Sequence, residues 1–144
     1  MSSYEIDQYR KPHGEEGKEV IEEMNVEHSP IFDFAIKHVN IEKTAKILDI
    51  GCGGGINIEK FLNLTENNVD GIDYSEISVE ESIKRNQTSI DSERCSIIQA
   101  SVSDMPFDEG SYDIATAFST VFFWPDITES FKNVLKIIKM KANL

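Results

Sequence analysis

Apolar positions along this chain follow two periods. Between Glu15 and Met24, Val20, Ile21 and Met24 fall on one side of a helix. A second helical stripe follows at Ile31, Phe32, Ala35, Ile36 and Val39. Ser29 suits an N-cap and Pro30 a first helical position, so the pattern predicts a fresh helix starting there. Residues 1–14 hold Tyr4, Tyr9, Pro12 and Gly14 without a period and read as an extended arm. Asn40 to Ala45 is a polar connection.

From residue 46 short β-type runs alternate with helical spacing. Ile47, Leu48 and Ile50 form a first strand, and Ile58, Phe61 and Leu62 mark a helix that ends near Leu64 at Thr65-Glu-Asn-Asn68. Val69–Asp73 is a second strand. Ser75 or Ser78 caps the next helix, Ser78-x-x-Glu81 matches a capping box, and Val79 and Ile83 would face the sheet. Cys95–Ala100 is a third strand, apolar enough for a sheet covered on both faces. A loop over 101–111 leads to a fourth strand, Tyr112–Phe118. Asp126 or Thr128 opens a last helix with the stripe Ile127, Phe131, Val134, Leu135 and Ile138. The order β-α-β-α-β-loop-β-α implies an α/β, Rossmann-like, doubly wound parallel sheet with right-handed crossovers behind N-terminal helices.

Length and composition change this picture little. With 144 residues, 40% hydrophobic and 28% charged, the chain suits one domain with one core. Residues 1–40 form the N-terminal arm and helices, and 46–138 the α/β core. No run approaches about 18 apolar residues, no secretory leader pattern is present, and a cytoplasmic location is the default expectation. A net charge of −12 disfavours nucleic acid and anionic membrane as partners. Lys132, Lys136, Lys139 and Lys141 read as a solvated helix face. Cys52 and Cys95 indicate neither disulfide framework nor zinc cluster, and His13, His28 and His38 fit no metal-ligand spacing.

The chemistry concentrates between Lys46 and Asp73, KILDIGCGGGINIEKFLNLTENNVDGID. A strand carrying Asp49 runs into Gly51, Gly53, Gly54 and Gly55, then a helix, then a strand ending on a second acid, Asp73. Glycines there permit backbone angles closed to other residues and let a ligand lie against the main chain. The following helix starts with free N–H groups, and an acid at the next strand end can accept hydrogen bonds from ribose hydroxyls. A dinucleotide G-x-G-x-x-G would need glycine at 56, which is Ile56, so a nicotinamide-dependent oxidoreductase is disfavoured.

Asp49-Ile-Gly51-Cys-Gly53-Gly-Gly55 resembles the first motif of the class I S-adenosylmethionine-dependent methyltransferases. Gly71-Ile-Asp73-Tyr74-Ser75 resembles their second, and Gln99-Ala-Ser101-Val-Ser-Asp-Met105-Pro106-Phe107 their adenine-side motif. Ser111 to Phe118 resembles their fourth-strand motif. The likeness runs from about Tyr4 to Leu135. It implies S-adenosylmethionine as cofactor, held by Asp49, Gly51, Cys52, Gly53, Gly55, Asp73, Tyr74, Ser101, Val102 and Phe118, and methyl transfer to a small-molecule acceptor. It implies no metal and singles out no catalytic residue. It also implies strand order 3-2-1-4, truncated relative to the seven-stranded family fold.

Two departures qualify the likeness. Ser101 stands where the family carries an acid, with Asp104 as a less favoured substitute, and a hydroxyl accepts an amine more weakly than a carboxylate. The family's last three strands have no counterpart, which leaves strand four as an edge. That edge predicts pairing across a homodimer, cover from the N-terminal segment, or poor stability. The alternative function is a catalytically silent cofactor-binding or oligomerising remnant. Tyr4 and Tyr9 could fold over the cofactor; Phe122, Phe123 and Trp124 could border it, with packing beneath the last helix the favoured reading for those three.

Overall fold

The computed structural model describes residues 2–140. Four parallel strands, β1 (Ile47–Ile50), β2 (Val69–Asp73), β3 (Cys95–Gln99) and β4 (Ile114–Thr116), form one sheet in the expected order β3-β2-β1-β4. β1 and β2 are central and buried at every position, which is why they read as short apolar runs. Ile47 pairs with Val69 and Ile114, and Asp49 with Gly71 and Thr116. Asp49, Gly71, Asp73 and Thr116 therefore share the face of Ile47 and Val69. β3 is an edge strand with only Cys95 buried, so its covering on both faces does not hold.

Six helices flank the sheet: α1 (Ser3–Arg10), α2 (Gly14–Ile36), α3 (Ile56–Leu62), α4 (Glu76–Arg85), α5 (Gln87–Asp91) and α6 (Ile127–Ile137). On one face Phe32 of α2 and Ile58, Phe61 and Leu62 of α3 pack with Ile47, Val69 and Cys95. On the other, Ile137 of α6 joins Leu48, Ile50, Ile72, Val102 and Tyr112.

Three N-terminal expectations change. Residues 3–10 are helical rather than extended: Ser2 and Glu5 close a capping box, a signal carried by polar residues alone. The two predicted helices are one, with Pro30 inside α2. Proline frees the carbonyl of Val26, but Val26 is 69% exposed and water can satisfy it. The buried positions Ile21, Asn25 and Phe32 run through the proline without a break. Ser29, no cap, accepts from Lys60 Nζ at 2.7 Å.

Ser75 caps α4, accepting from Ser78 N–H, while Asp126 caps α6. Along α4 the fully buried positions are Ser78 and Ser82; Val79 and Ile83 are half-buried. In α6 the buried positions are Ser130 and Ile137, with Val134 and Ile138 packed against the core. Ile127, Phe131 and Leu135 of the predicted stripe remain 50%, 48% and 69% exposed. β4 is shorter than predicted. Just before it, Tyr112 N–H donates to Ile137 O and the Tyr112 carbonyl accepts from Lys139 N–H, which ties the end of α6 to the approach to β4. Lys132 and Lys139 pair with Glu129 and Asp113, and Lys141 lies outside the described residues.

Candidate functional site

The carboxyl ends of β1, β2 and β4 open into a cavity, where ligands of open α/β sheets sit. Its floor is the glycine turn, Ile50 to Gly53, with Asp73 and Tyr74 at one side and Ala100 to Val102 beyond. Phe118, Ser119 and Thr120 follow β4 along the opposite wall. Tyr9, Arg10 and Pro12 of the N-terminal corner and Met24, Asn25 and His28 of α2 make the roof.

Three glycines of the turn hold left-handed backbone, Gly51 at φ +74°, Gly53 at +53° and Gly55 at +80°, a region glycine enters without steric cost. A Cβ at Gly51 would meet Thr120 Cγ2 at 2.5 Å, and one at Gly55 would meet Ser82 Oγ at 2.3 Å. At Gly53 no heavy atom lies within 4 Å of that position. Gly51 and Gly55 are thus close-packing glycines, whereas Gly53 bares its backbone to open space.

Asp73 is held at the end of β2 with one oxygen accepting from Gly53 N–H at 2.9 Å and the other from Ser75 N–H at 2.9 Å. Each carboxylate oxygen keeps a lone pair for a further donor. Burial pushes this carboxyl up, opposed by the N–H groups of Ser75, Gly53 and Tyr74 and by Lys11. Asp49 lies behind the wall, 2% exposed, accepting from Thr116 Oγ1 at 2.8 Å. Burial pushes it up to about 7; Thr116 opposes the rise and nearby Asp73 adds to it. Burial likewise holds the Cys52 thiol well above its ordinary range.

The roof is tied down beside Asp73. Tyr74 Oη donates to Arg10 O, Ser75 Oγ donates to Pro12 O, and Lys11 Nζ sits 5.4 Å from the centre of the Tyr74 ring. Gln8, buried within this corner, accepts from His13 N–H at 3.0 Å.

Of the ten residues expected to hold a cofactor, Gly51, Cys52, Gly53, Asp73, Tyr74, Ser101, Val102 and Phe118 line this cavity. Asp49 and Gly55 support it from outside its wall. Asp104 is exposed and does not line it. Tyr9 does, whereas Tyr4 turns aside to Glu16 and Gln8. Phe123 and Trp124 border the cavity, Phe122 is 70% exposed, and Trp124 packs edge-on against Phe131 at 5.4 Å. The favoured burial of all three beneath the last helix is therefore replaced by a split. Ser119, which the fourth-strand resemblance places with Phe118 beside the cofactor, lines the cavity, whereas Met24, Asn25, His28 and Ser78 were not anticipated. The helical spacing of 21, 24, 25 and 28 could have revealed the first three; Ser119 holds left-handed backbone at φ +58°. Among the described residues no group of three or more His, Cys, Asp or Glu could hold a metal ion, and no helix is long and apolar enough to cross a membrane.

Residues 47–141 match the family model described as a methyltransferase domain. Cycloartenol-C-24-methyltransferase of Arabidopsis thaliana is 24% identical over 106 residues, 74% of this chain and 32% of that protein. The O-methyltransferase resE of Aspergillus sclerotiorum is 26% identical over 98 residues, 68% of this chain and 37% of that protein. The chain thus spans about a third of the length of these relatives. Geranyl diphosphate C-methyltransferase of Streptomyces coelicolor A3(2), solved with Mg2+, geranyl diphosphate and S-adenosyl-L-homocysteine, superposes with a TM-score of 0.68 at 19% identity, covering 90% of this chain and 49% of that one. A SAM-dependent methyltransferase of Aquifex aeolicus gives 0.70 at 12% identity, covering 83% and 67%.

Proposed function

The chain belongs to the methyltransferase domain family, and on that premise we propose that it binds S-adenosylmethionine in the cavity above β1 and β2 and directs its methyl group to a small-molecule acceptor. The observation that carries this reading is the pairing of Asp73 with Gly53: a buried carboxylate with spare lone pairs beside a turn whose backbone faces open space. Together they can accept ribose hydroxyls and admit a nucleoside against the main chain.

The residues fit such a group. Ser101 Oγ, which accepts from Ser103 N–H at 3.2 Å, offers a hydroxyl on the adenine side in place of an acid. Phe118, Phe123 and Trp124 provide aromatic surface at the opposite wall, suited to a cation or an apolar acceptor. When bound, the cofactor supplies a methyl already activated by a positive sulfonium. The chain's task is alignment and exclusion of water. The tied-down corner Arg10–Pro12 closes the roof over Asp73, and His28 and Tyr9 are the roof's groups able to exchange a proton with an acceptor. The small-molecule preference rests on the net charge of −12 and on the aromatic surface of Phe118, Phe123 and Trp124. A cytoplasmic location agrees with the absence of a membrane-crossing helix among the described residues.

Calorimetric titration of S-adenosylmethionine into the 144-residue chain tests the reading, with Asp73→Ala as control. Loss of two hydrogen bonds to a charged acceptor should weaken binding by roughly 1.5–3 kcal/mol, about tenfold or more. A folded wild-type chain that does not bind would overturn it. Binding that survives Asp73→Ala unchanged would remove the ribose assignment.

A further inference from the structure

The buried face of α4 lies against the glycine turn, and the gap between them is uneven. At its lower end the contact is tight: Ser82 Oγ would lie 2.3 Å from a Cβ on Gly55, and Asn86 Nδ2 donates to Gly55 O at 3.1 Å. Ser82 Oγ is also 3.7 Å from Cys52 Sγ. One turn nearer the start of α4 stands Ser78, 1% exposed, on the wall of the cavity. Gly53, on the lining of the same cavity, has nothing within 4 Å of its open side.

Ser78 Oγ is buried and has no hydrogen-bond partner among the described residues. Its own N–H is satisfied by Ser75 Oγ at 3.3 Å, so backbone capping accounts for Ser75 but leaves the Ser78 hydroxyl idle. An orphaned buried hydroxyl is destabilising, and alanine would avoid that at the same backbone angles. A serine kept here without a protein partner is best explained by a partner that comes and goes with the ligand.

We propose that Ser78 is a ligand-binding residue: its hydroxyl completes, with Asp73 and the bare backbone of Gly53, a three-sided grip on a hydroxyl-bearing sugar of the bound nucleoside. This rests on the nucleoside reading of the cavity and adds to it a contact on α4. Ser78 can both donate and accept. A ribose hydroxyl that gives its proton to Asp73 can in turn accept one from Ser78, so one sugar hydroxyl satisfies both groups.

The test separates affinity from stability. S-adenosylhomocysteine is titrated calorimetrically into wild type, Ser78→Ala and Ser82→Ala, and each protein is melted without ligand. Ser78→Ala should bind about three- to tenfold more weakly, the equivalent of one hydrogen bond, while its melting temperature holds or rises. Ser82→Ala, whose hydroxyl does not line the cavity, should bind as wild type does. If Ser78→Ala binds like wild type, a trapped water or nothing satisfies the hydroxyl and the proposal falls. If it binds weakly but also melts well below wild type, the serine is structural and the proposal falls as well. Failure of wild type itself to bind would refute the nucleoside reading, a different outcome from either.

Discussion

Gly51 and Gly53 should respond in opposite ways to the same substitution. Both hold left-handed backbone, at φ +74° and +53°, so alanine at either costs about 1–2 kcal/mol in backbone strain. At Gly51 the new methyl would also lie 2.5 Å from Thr120 Cγ2 and 2.8 Å from Thr120 Cβ. Thr120 cannot swing away freely, because its Oγ1 donates to Ile50 O at 3.2 Å. Overpacking of this kind adds about 1–3 kcal/mol, for a total of roughly 2–5 kcal/mol. At Gly53 the methyl meets no heavy atom within 4 Å, so only the backbone strain remains. Its consequence should fall on binding, because the methyl would enter the space proposed for the ligand. Urea unfolding should therefore rank wild type above Gly53→Ala above Gly51→Ala, with equal m-values. Calorimetry with S-adenosylhomocysteine should show Gly53→Ala weakened roughly tenfold or more. Thr120→Gly should restore stability in the Gly51→Ala background, since it removes the clashing atoms. Equal stability losses in the two single variants, or undiminished binding by Gly53→Ala, would refute this division of labour within the turn.

Two more outcomes follow from groups around the cavity. Asp49 has its pKa raised from 3.8 to about 7 by burial, so the folded chain binds its proton more tightly than the unfolded chain does. Stability from this group is greatest below the unfolded value and falls as pH rises toward 7. Asp49→Asn should lack that fall and gain on wild type by up to about 4 kcal/mol between pH 4 and 8, read by urea unfolding; parallel pH profiles would show that Asp49 is not the group. Tyr74→Phe removes the bond to Arg10 O and should loosen the roof by about 1 kcal/mol. Amide exchange in residues 3–12 should then quicken about fivefold, and unchanged exchange would mean that Ser75 and Gln8 hold the corner alone.

The centre of this fold was legible because its sequence signals are local and agree with one another. β1, the glycine turn and β2 carry short apolar runs, turn chemistry and two acids within a single stretch, and the observed strands match residue for residue at Ile47–Ile50 and Val69–Asp73. Legibility failed where a second element decides the outcome. Pro30 after Ser29 has the local form of a helix start, yet the face that runs through Ile21, Asn25 and Phe32 packs on Gly54, Phe61 and Phe118 and holds one helix through the proline. α1 escaped notice for the reverse reason. Its signals are a polar capping box and a buried glutamine, invisible to a search for apolar periodicity.

α4 and α6 show why counting apolar residues misplaces a helix face. The inward side of α4 carries Ser82 because it must approach a glycine turn closely, and at Gly55 there is no room for more than a hydroxyl. Size, rather than hydrophobicity, selects the residues there. In α6 the inward side is Ser130, Val134 and Ile137, with Asn133 Nδ2 donating to Val102 O at 3.2 Å. That bond to the loop after β3 and the packing of Val134 and Ile137 hold the same side inward and leave Phe131 and Leu135 outward. The same loop carries Ser101 and Val102 to the cavity. The orientation of α6 and that wall of the cavity are therefore coupled: an Asn133→Ala change that lets α6 rotate its apolar stripe inward would displace Val102, and with it the wall proposed to carry a nucleoside base.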